Sequence, residues 1–513
     1  MELNYQTIRH YVLVLDESIT REESADIIVP DLFPDIAGIV DSWGMAVVKD
    51  KIIRDGKLDV QGIARASILY RPEGEEGLRK IDLSLPFSHA FENAEFTPQA
   101  NICAKAVLLQ VQAHTVNPRK VQVTAEVQLE VTVYEPADFT ICDDIPRAAE
   151  ASVQLQKAVE DAYLPVCVRD KSFSVQDEIE IPGTRPSITE IVRSDVRLFA
   201  QETKSVGSKL VCKGAALVKI LYISGENDRD PLTTLEHELP FSQILDMDGM
   251  DEECDCTVDL SLGGIEMDLK AGLNGEIRVI GLALHIEAQA VACAGKKIEV
   301  LSDLYSTAYD LAPEFQSIPV FTLVDRAVNR HTVRESLTVA YPVQMVLDTQ
   351  VALTPLSQER DGEELIIRAD AVVRILYIGE DNGLHALNNR IPVEHRVAGP
   401  AGGRIRIAAN VSGEISASGT HETVEIRFAV DFDIVTLREK MLVSVTGIKG
   451  NTETPKNCAD KPSVVLRRVR DGECLWSIAK AYNTTKADII QANALESQED
   501  LRAGQLLLIP RKR

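Results

Sequence analysis

The decapeptide Gln61-Gly-Ile-Ala-Arg-Ala-Ser-Ile-Leu-Tyr70 returns as Lys213-Gly-Ala-Ala-Leu-Val-Lys-Ile-Leu-Tyr222 and again as Arg368-Ala-Asp-Ala-Val-Val-Arg-Ile-Leu-Tyr377. Each copy closes on Ile-Leu-Tyr, with tyrosines at 70, 222 and 377, so the spacings are 152 and 155 residues. Such an interval is a domain period, far above the roughly 20 to 50 residues of solenoid units, whose copies cannot bury a face alone. Each copy is therefore expected to close its own core, as an independent bead. Other landmarks keep the step. Leu85-Pro-Phe-Ser88 answers Leu239-Pro-Phe-Ser242, with Ile391-Pro-Val-Glu394 as a weaker third copy, and Pro34-Asp-Ile36 answers Pro186-Ser-Ile188 with no clear counterpart in the third repeat.

Within the repeats the texture is β. Val107 to Gln112 and Val121 to Val133 alternate apolar with polar residues, the period of a strand with one face on a core and one in water. Thr115-Val-Asn-Pro-Arg-Lys120 between them reads as a hairpin turn. Asn274-Gly275 and Ser418-Gly-Thr-His421 mark the same hairpin in the second and third repeats. Ile145 to Ala162 predicts a short helix or linker, and Leu301 to Pro319 an irregular stretch. The chain thus reads as mainly β: repeats over 1–150, 163–300 and 315–446, a flexible linker over 447–463 that is poor in apolar residues, and a small module over 464–513.

That module opens with a strand and a turn at Asp471-Gly472. Leu475, Ile478, Ala479 and Tyr482 then recur at helical spacing, a second helix runs from Lys486 to Ala494, and Ala503 to Pro510 closes as a strand. It is an α+β unit of βααβ order. Trp476 lies off the apolar stripe of its helix, which makes it a candidate interface anchor.

A formal charge of −25 disfavours nucleic acid and anionic lipid as partners. The last 51 residues hold nine basic and six acidic side chains, a net of +3, so the preceding 462 carry −28. The first residues have neither a basic nor an apolar signal region, and no run of 18 apolar residues occurs, which predicts a protein that stays where it is made. The nine scattered cysteines fit a reducing compartment, with Cys254 and Cys256 read as unpaired loop thiols and no metal site expected. No phosphate loop, His-Glu-x-x-His or Gly-x-Ser-x-Gly motif occurs, so neither a catalytic residue nor a cofactor is expected.

The C-terminal module resembles a LysM domain through Gly472-Glu-Cys-Leu475, Ile478-Ala-Lys-Ala-Tyr482, Asn493-Ala-Leu495 and Gly504-Gln-Leu-Leu-Leu-Ile-Pro510. The repeats, through Ile-Leu-Tyr and Leu-Pro-Phe-Ser, resemble the SPOCS (DUF3794) domain of spore coat assembly proteins. The resemblance implies a non-enzymatic sporulation protein of the mother cell. It would dock at the forespore surface by binding the coat-basement ATPase, stage IV sporulation protein A, through LysM, alongside other coat proteins. The alternative it implies is a peptidoglycan-binding protein that recognises N-acetylglucosamine polymers. For either partner the implied contacts are Gly472, Glu473, Cys474 and Leu475 in one loop, Leu501, Arg502 and Ala503 in the other, with Trp476 and Asn493 beside them. LysM domains usually carry Asp-Thr where this chain has Glu473-Cys474, so a hydroxyl is replaced by a thiol, a weak donor.

Overall fold

The computed structural model describes residues 2–75, 77–224, 232–272, 275–399, 403–450, 454–456, 462–495 and 501–511. The first repeat is built from β1 (Asn4–Ile28), β2 (Ile36–Arg54), β3 (Lys57–Pro72), β4 (Arg79–Glu92), β5 (Asn101–Asn117) and β6 (Lys120–Asp144). The second uses β7 (Val153–Glu180), β8 (Ile188–Val206), β9 (Lys209–Ser224), β10 (Leu232–Asp246), β11 (Asp255–Ala271) and β12 (Ile277–Ser306). The third follows with β13 (Leu311–Thr338), β14 (Val343–Leu353), a short extra β15 (Ser357–Asp361), β16 (Glu364–Gly379), β17 (Leu384–Ala398), β18 (Arg404–Gly419) and β19 (Thr423–Gly450).

Each repeat packs two antiparallel sheets over a core. In the first, β1-β6-β5 faces β2-β3-β4; in the second the corresponding sheets are joined by one bridge, Ile277 to Ile188; in the third β15 adds to β16. The hairpins fall where the turn residues put them, β5 to β6 through Pro118-Arg119 and β18 to β19 around Thr420, which bonds Thr423. Gly275 has φ of 81°, as a turn glycine should, while its neighbour Asn274 lies outside the described residues.

The decapeptide forms β3, β9 and β16, the central strand of one sheet in each repeat. Its second residue faces the Leu-Pro-Phe element across the ladder: Gly62 opposes Phe87, Gly214 opposes Phe241, and Ala369 opposes Val393. The third repeat's departure from Leu-Pro-Phe is thus a volume exchange, a smaller side chain opposite a larger backbone residue. A Cβ at Gly62 would lie 2.1 Å from the Phe87 ring, and one at Gly214 2.6 Å from that of Phe241.

Register also exposes a third copy of the upstream element. Ile36 pairs with Pro72, Ile188 with Ser224 and Val343 with Gly379, each two residues beyond the landmark tyrosine. Tyr341-Pro-Val343 is therefore the counterpart, with proline displaced by one position. The hydroxyls of Tyr70 and Tyr222 donate to the carbonyls of Pro34 and Pro186, both at 3.2 Å.

The repeats are not the independent beads that the period suggests. Ile68 and Tyr70 face the first repeat's own core, as Ile220 with Tyr222 and Ile375 with Tyr377 face theirs. The leucine between them points the other way, and Leu69, Leu221 and Leu376 meet in a single cluster with Trp43, Val192 and Leu347. A bulge at the same place in β2, β8 and β14 swings Val40, Val192 and Leu347 towards that cluster. The long outer ribbons join as well, Ile8 and Ile141 packing on Leu164, Val300, Val320 and Leu442. Equivalent surfaces thus converge as in a cyclic trimer whose subunits are covalently linked.

The shared centre carries charge. Asp41, Arg193 and Asp348 are register partners of Leu69, Leu221 and Leu376, so one repeat position reads Asp, Arg, Asp. Arg193 meets Asp348 at 2.9 Å and Asp41 at 3.8 Å, Arg374 meets Asp41 at 2.9 Å, and Lys219 meets Asp348 at 3.2 Å. Both guanidinium groups lie 5.8 Å from the centre of the Trp43 ring. Burial and the neighbouring Arg193 charge push Arg374 down to about 10. Burial alone would raise Asp348, but Arg193, Lys219 and Arg374 hold its carboxyl below the ordinary value. Identical repeats would bring like charges together here, so the alternation favours one order of three different repeats.

Both connections between repeats hold more strand than expected, although the first does carry a short helix. The stretch 145–162 holds one short 3-10 helix, Ala148–Ala151, before β7 begins at Val153, and 301–319 is mostly strand on either side of a turn after Ser306. Both gain strand because the ribbons extend past the repeats to pair, Val153 reaching Ser306 and Leu311 reaching Gly450. Cys254 and Cys256 are both unpaired; Cys254 lies in the loop between β10 and β11 but is buried with Cys167, Cys212, Met247 and Met250 in a satellite core, whereas Cys256 is half-buried in β11 and is not a loop thiol. Burial pushes the Cys254 thiol up to about 11.

Candidate functional site

The C-terminal module consists of β20 (Val464–Arg468), α1 (Leu475–Tyr482), α2 (Lys486–Asn493) and β21 (Leu506–Pro510), with β20 and β21 antiparallel. Leu475, Ile478 and Ala479 on α1 meet Ile489, Leu507 and Ile509, closing a small core. Thr485 caps α2 by accepting from the Asp488 amide, and Asn483 ends α1 in the left-handed region.

The first candidate loop stands open. Gly472 has φ of 78° and is exposed, and Glu473 folds back onto Arg467 and the Arg470 amide. Cys474 is exposed; burial would raise its thiol, but the Ser477 and Trp476 amides at the start of α1 and the Ser477 hydroxyl bring it below the ordinary value. Arg502 and Ala503 in the facing loop are also exposed, and Leu501 packs partly on the core. Residues 496–500 lie outside the described residues.

Three expected contact residues are placed otherwise. Leu475 is 2% exposed and belongs to the module's core. Asn493 is internal carpentry: its amide nitrogen donates to the carbonyls of Ile489 and Leu508, and its oxygen accepts from the Leu508 amide at 2.7 Å. Trp476 is an interface residue, but the interface is with this chain's own second repeat. Its indole nitrogen donates to the Asp303 carboxylate at 2.7 Å, and Lys480, one turn along, contacts both oxygens of the same group at 2.6 and 2.7 Å. Tyr305, two residues further along β12, stacks edge-on to the indole at 4.9 Å and donates to the Thr484 carbonyl at 2.7 Å.

The connection between body and module is partly held too. Lys456 donates to the Ser306 carbonyl and to Asn483 Oδ1, and its amide bonds the Ala308 carbonyl. Residues 447–450 belong to β19, which shortens the expected linker, and 451–453 with 457–461 lie outside the described residues. Nothing in the sequence pointed to Asp303 or Tyr305. A tryptophan and a lysine four apart on one helix face were the readable half of this contact.

Fold and module together define a class: a β-repeat protein of three fused copies carrying one small recognition domain. Residues 35–116 and 187–270 match the SipL, SPOCS domain family, and residues 468–510 match the LysM domain. The chain therefore carries SPOCS and LysM domains, both non-catalytic families, and is spore-coat-related with a module of the peptidoglycan-binding type. No curated protein and no solved structure matches the chain. Among the described residues no helix is long and apolar enough to cross a membrane.

Proposed function

We propose that this chain is a non-enzymatic adaptor of spore coat assembly in the mother cell. The fused repeats form a rigid platform, and the LysM module attaches it at the forespore surface by binding the coat-basement ATPase, stage IV sporulation protein A. The observation that carries this reading is the kind of contact the module makes. Its Trp476 and Lys480 face engages a carboxylate and a tyrosine of a β-strand, which is protein recognition rather than stacking on a sugar. A thiol at Cys474, where LysM domains usually place a hydroxyl, removes a sugar-bonding donor and points the same way. The module's net charge of +3 suits an acidic protein surface.

One observation favours a second reading, recognition of N-acetylglucosamine polymers: Gly472, Cys474, Arg502 and Ala503 remain exposed while the module is docked. Surface plasmon resonance of the full chain over immobilised ATPase and over peptidoglycan fragments separates the two. The adaptor reading expects saturable binding to the ATPase that weakens with added salt. Saturable binding to glycan alone would replace it.

A further inference from the structure

The docked face of the module has a definite chemistry. Trp476 and Lys480 lie one turn apart on α1 and converge on a single carboxylate, while the Thr484 carbonyl beyond the helix end accepts the Tyr305 hydroxyl. The acid and the phenol sit at Asp303 and Tyr305, alternate positions that lie on one face of a strand. The face therefore reads a short strand motif, a carboxylate and an aromatic two residues apart.

The contact is also of a kind that can exchange. Among the buried residues of the module's core only Tyr305 comes from the repeats, and the remaining bonds are polar or ionic. The Lys480 side chain is 38% exposed, so solvent already reaches the ion pair. Thirteen residues separate Gly450 from Val464, a reach of about 45 Å when fully extended. Release requires the module to give up these bonds and those of Lys456 and uncovers the Trp476 indole, while Leu475, Ile478, Ala479, Ile489, Leu507 and Ile509 keep one another as neighbours. Small polar contacts between domains commonly open and close.

We propose that the face of Trp476, Lys480 and the Thr484 carbonyl is the module's protein-recognition site, and that Asp303 and Tyr305 occupy it as an internal ligand. A partner protein presenting a carboxylate and a tyrosine two residues apart on a strand competes for the same face, so the module is masked until such a strand displaces β12. This deepens the adaptor reading and rests on it for the identity of the competitor, although the masking stands on this chain alone. The exposed loops around Gly472 and Arg502 are untouched by the mask.

The test uses the full chain and no ATPase. A fluorescently labelled peptide covering residues 299–309 is titrated against wild type, Asp303→Ala and Asp303→Ala/Lys480→Ala, and binding is read by anisotropy. Vacating the face should let Asp303→Ala bind the peptide at least tenfold more tightly than wild type, whose tethered ligand competes at high effective concentration. The double variant, and a peptide carrying Asp303→Ala, should lose that binding. Acrylamide quenching gives a second readout: Trp476 should become accessible in Asp303→Ala while the indole of Trp43, 6% exposed in the shared centre, stays protected. Asp303→Asn, which keeps an acceptor for the indole, guards against a folding artefact and should fall between wild type and alanine. Equal peptide binding by wild type and Asp303→Ala, or unchanged quenching in both variants, would overturn the proposal. Failure here leaves ATPase binding intact, whereas failure of the adaptor reading leaves peptide exchange intact.

Discussion

Replacing Arg193 by methionine strikes the point where the three repeats are joined. Its guanidinium lies 2.9 Å from Asp348 and 3.8 Å from Asp41, and the three side chains are 3%, 5% and 1% exposed. Without it both carboxylates stay buried, Asp348 with Lys219 at 3.2 Å and Asp41 with Arg374 at 2.9 Å. Breaking a buried pair from one side costs about 3–5 kcal/mol. The two surviving partners blunt the loss, so the low end, about 3 kcal/mol, is expected. Against a typical stability of about 5–15 kcal/mol this is severe. Urea unfolding, followed by Trp43 fluorescence in a Trp476→Phe background and by far-UV circular dichroism, reads the effect. In the parent the two probes should move together. In Arg193→Met the indole signal should change first, because the repeats separate before each core melts, and Asp348→Leu added to it should recover part of the loss. A variant within about 0.5 kcal/mol of its parent, the range of an ordinary surface substitution, would refute a structural role for the centre.

Further outcomes follow from single sites. Leu221→Ala should cost about 2–5 kcal/mol in the full chain and advance the Trp43 transition, since Leu221 packs between repeats rather than within one. Gly214→Ala should cost about 1–3 kcal/mol in urea unfolding, since its methyl would lie 2.3 Å from the Phe199 carbonyl and 2.6 Å from the Phe241 ring, and Phe241→Val should relieve only the ring's share. The folded-state value of Asp348 lies below that of an unfolded aspartate, so its contribution is present above about pH 4 and is lost as pH falls through the folded value. Acid unfolding of wild type should accordingly be steeper than that of Asp348→Asn. Among the described cysteines, Cys474 should alkylate first with iodoacetamide near neutral pH, because it is exposed with a lowered thiol while burial raises Cys103, Cys254 and Cys293 to about 11; mass spectrometry of the time course checks it.

Much of the architecture was legible because strands announce themselves through period and punctuation. The alternation in Val121 to Val133 and the turn at Pro118 located β6 and its hairpin, and the Ile-Leu-Tyr repeats located the central strands. What those strands do with their second face was written in the same tripeptide: three apolar residues in a row cannot all face one core, and an apolar run signals burial on both sides. Reading the repeats as beads ignored the middle leucine. The charge centre was less accessible, since Asp41, Arg193 and Asp348 become comparable only after the bulge fixes the register. For the module, helical spacing set Trp476 apart from the stripe of Leu475, Ile478 and Ala479, yet the indole is buried in the same cluster because Tyr305 packs on it. Its partner Asp303 lies 173 residues away, and no local pattern carries a contact that distant. Asn493 illustrates the opposite error, a motif residue that serves the fold by tying α2 to β21.

The most direct test of the adaptor account is a pull-down of the full chain, and of a chain ending at residue 462, on immobilised stage IV sporulation protein A and on purified peptidoglycan. The account expects the ATPase to retain the full chain and not the truncated one, with no saturable retention by peptidoglycan. Retention of the full chain by peptidoglycan alone, or equal retention of both chains by the ATPase, would contradict it.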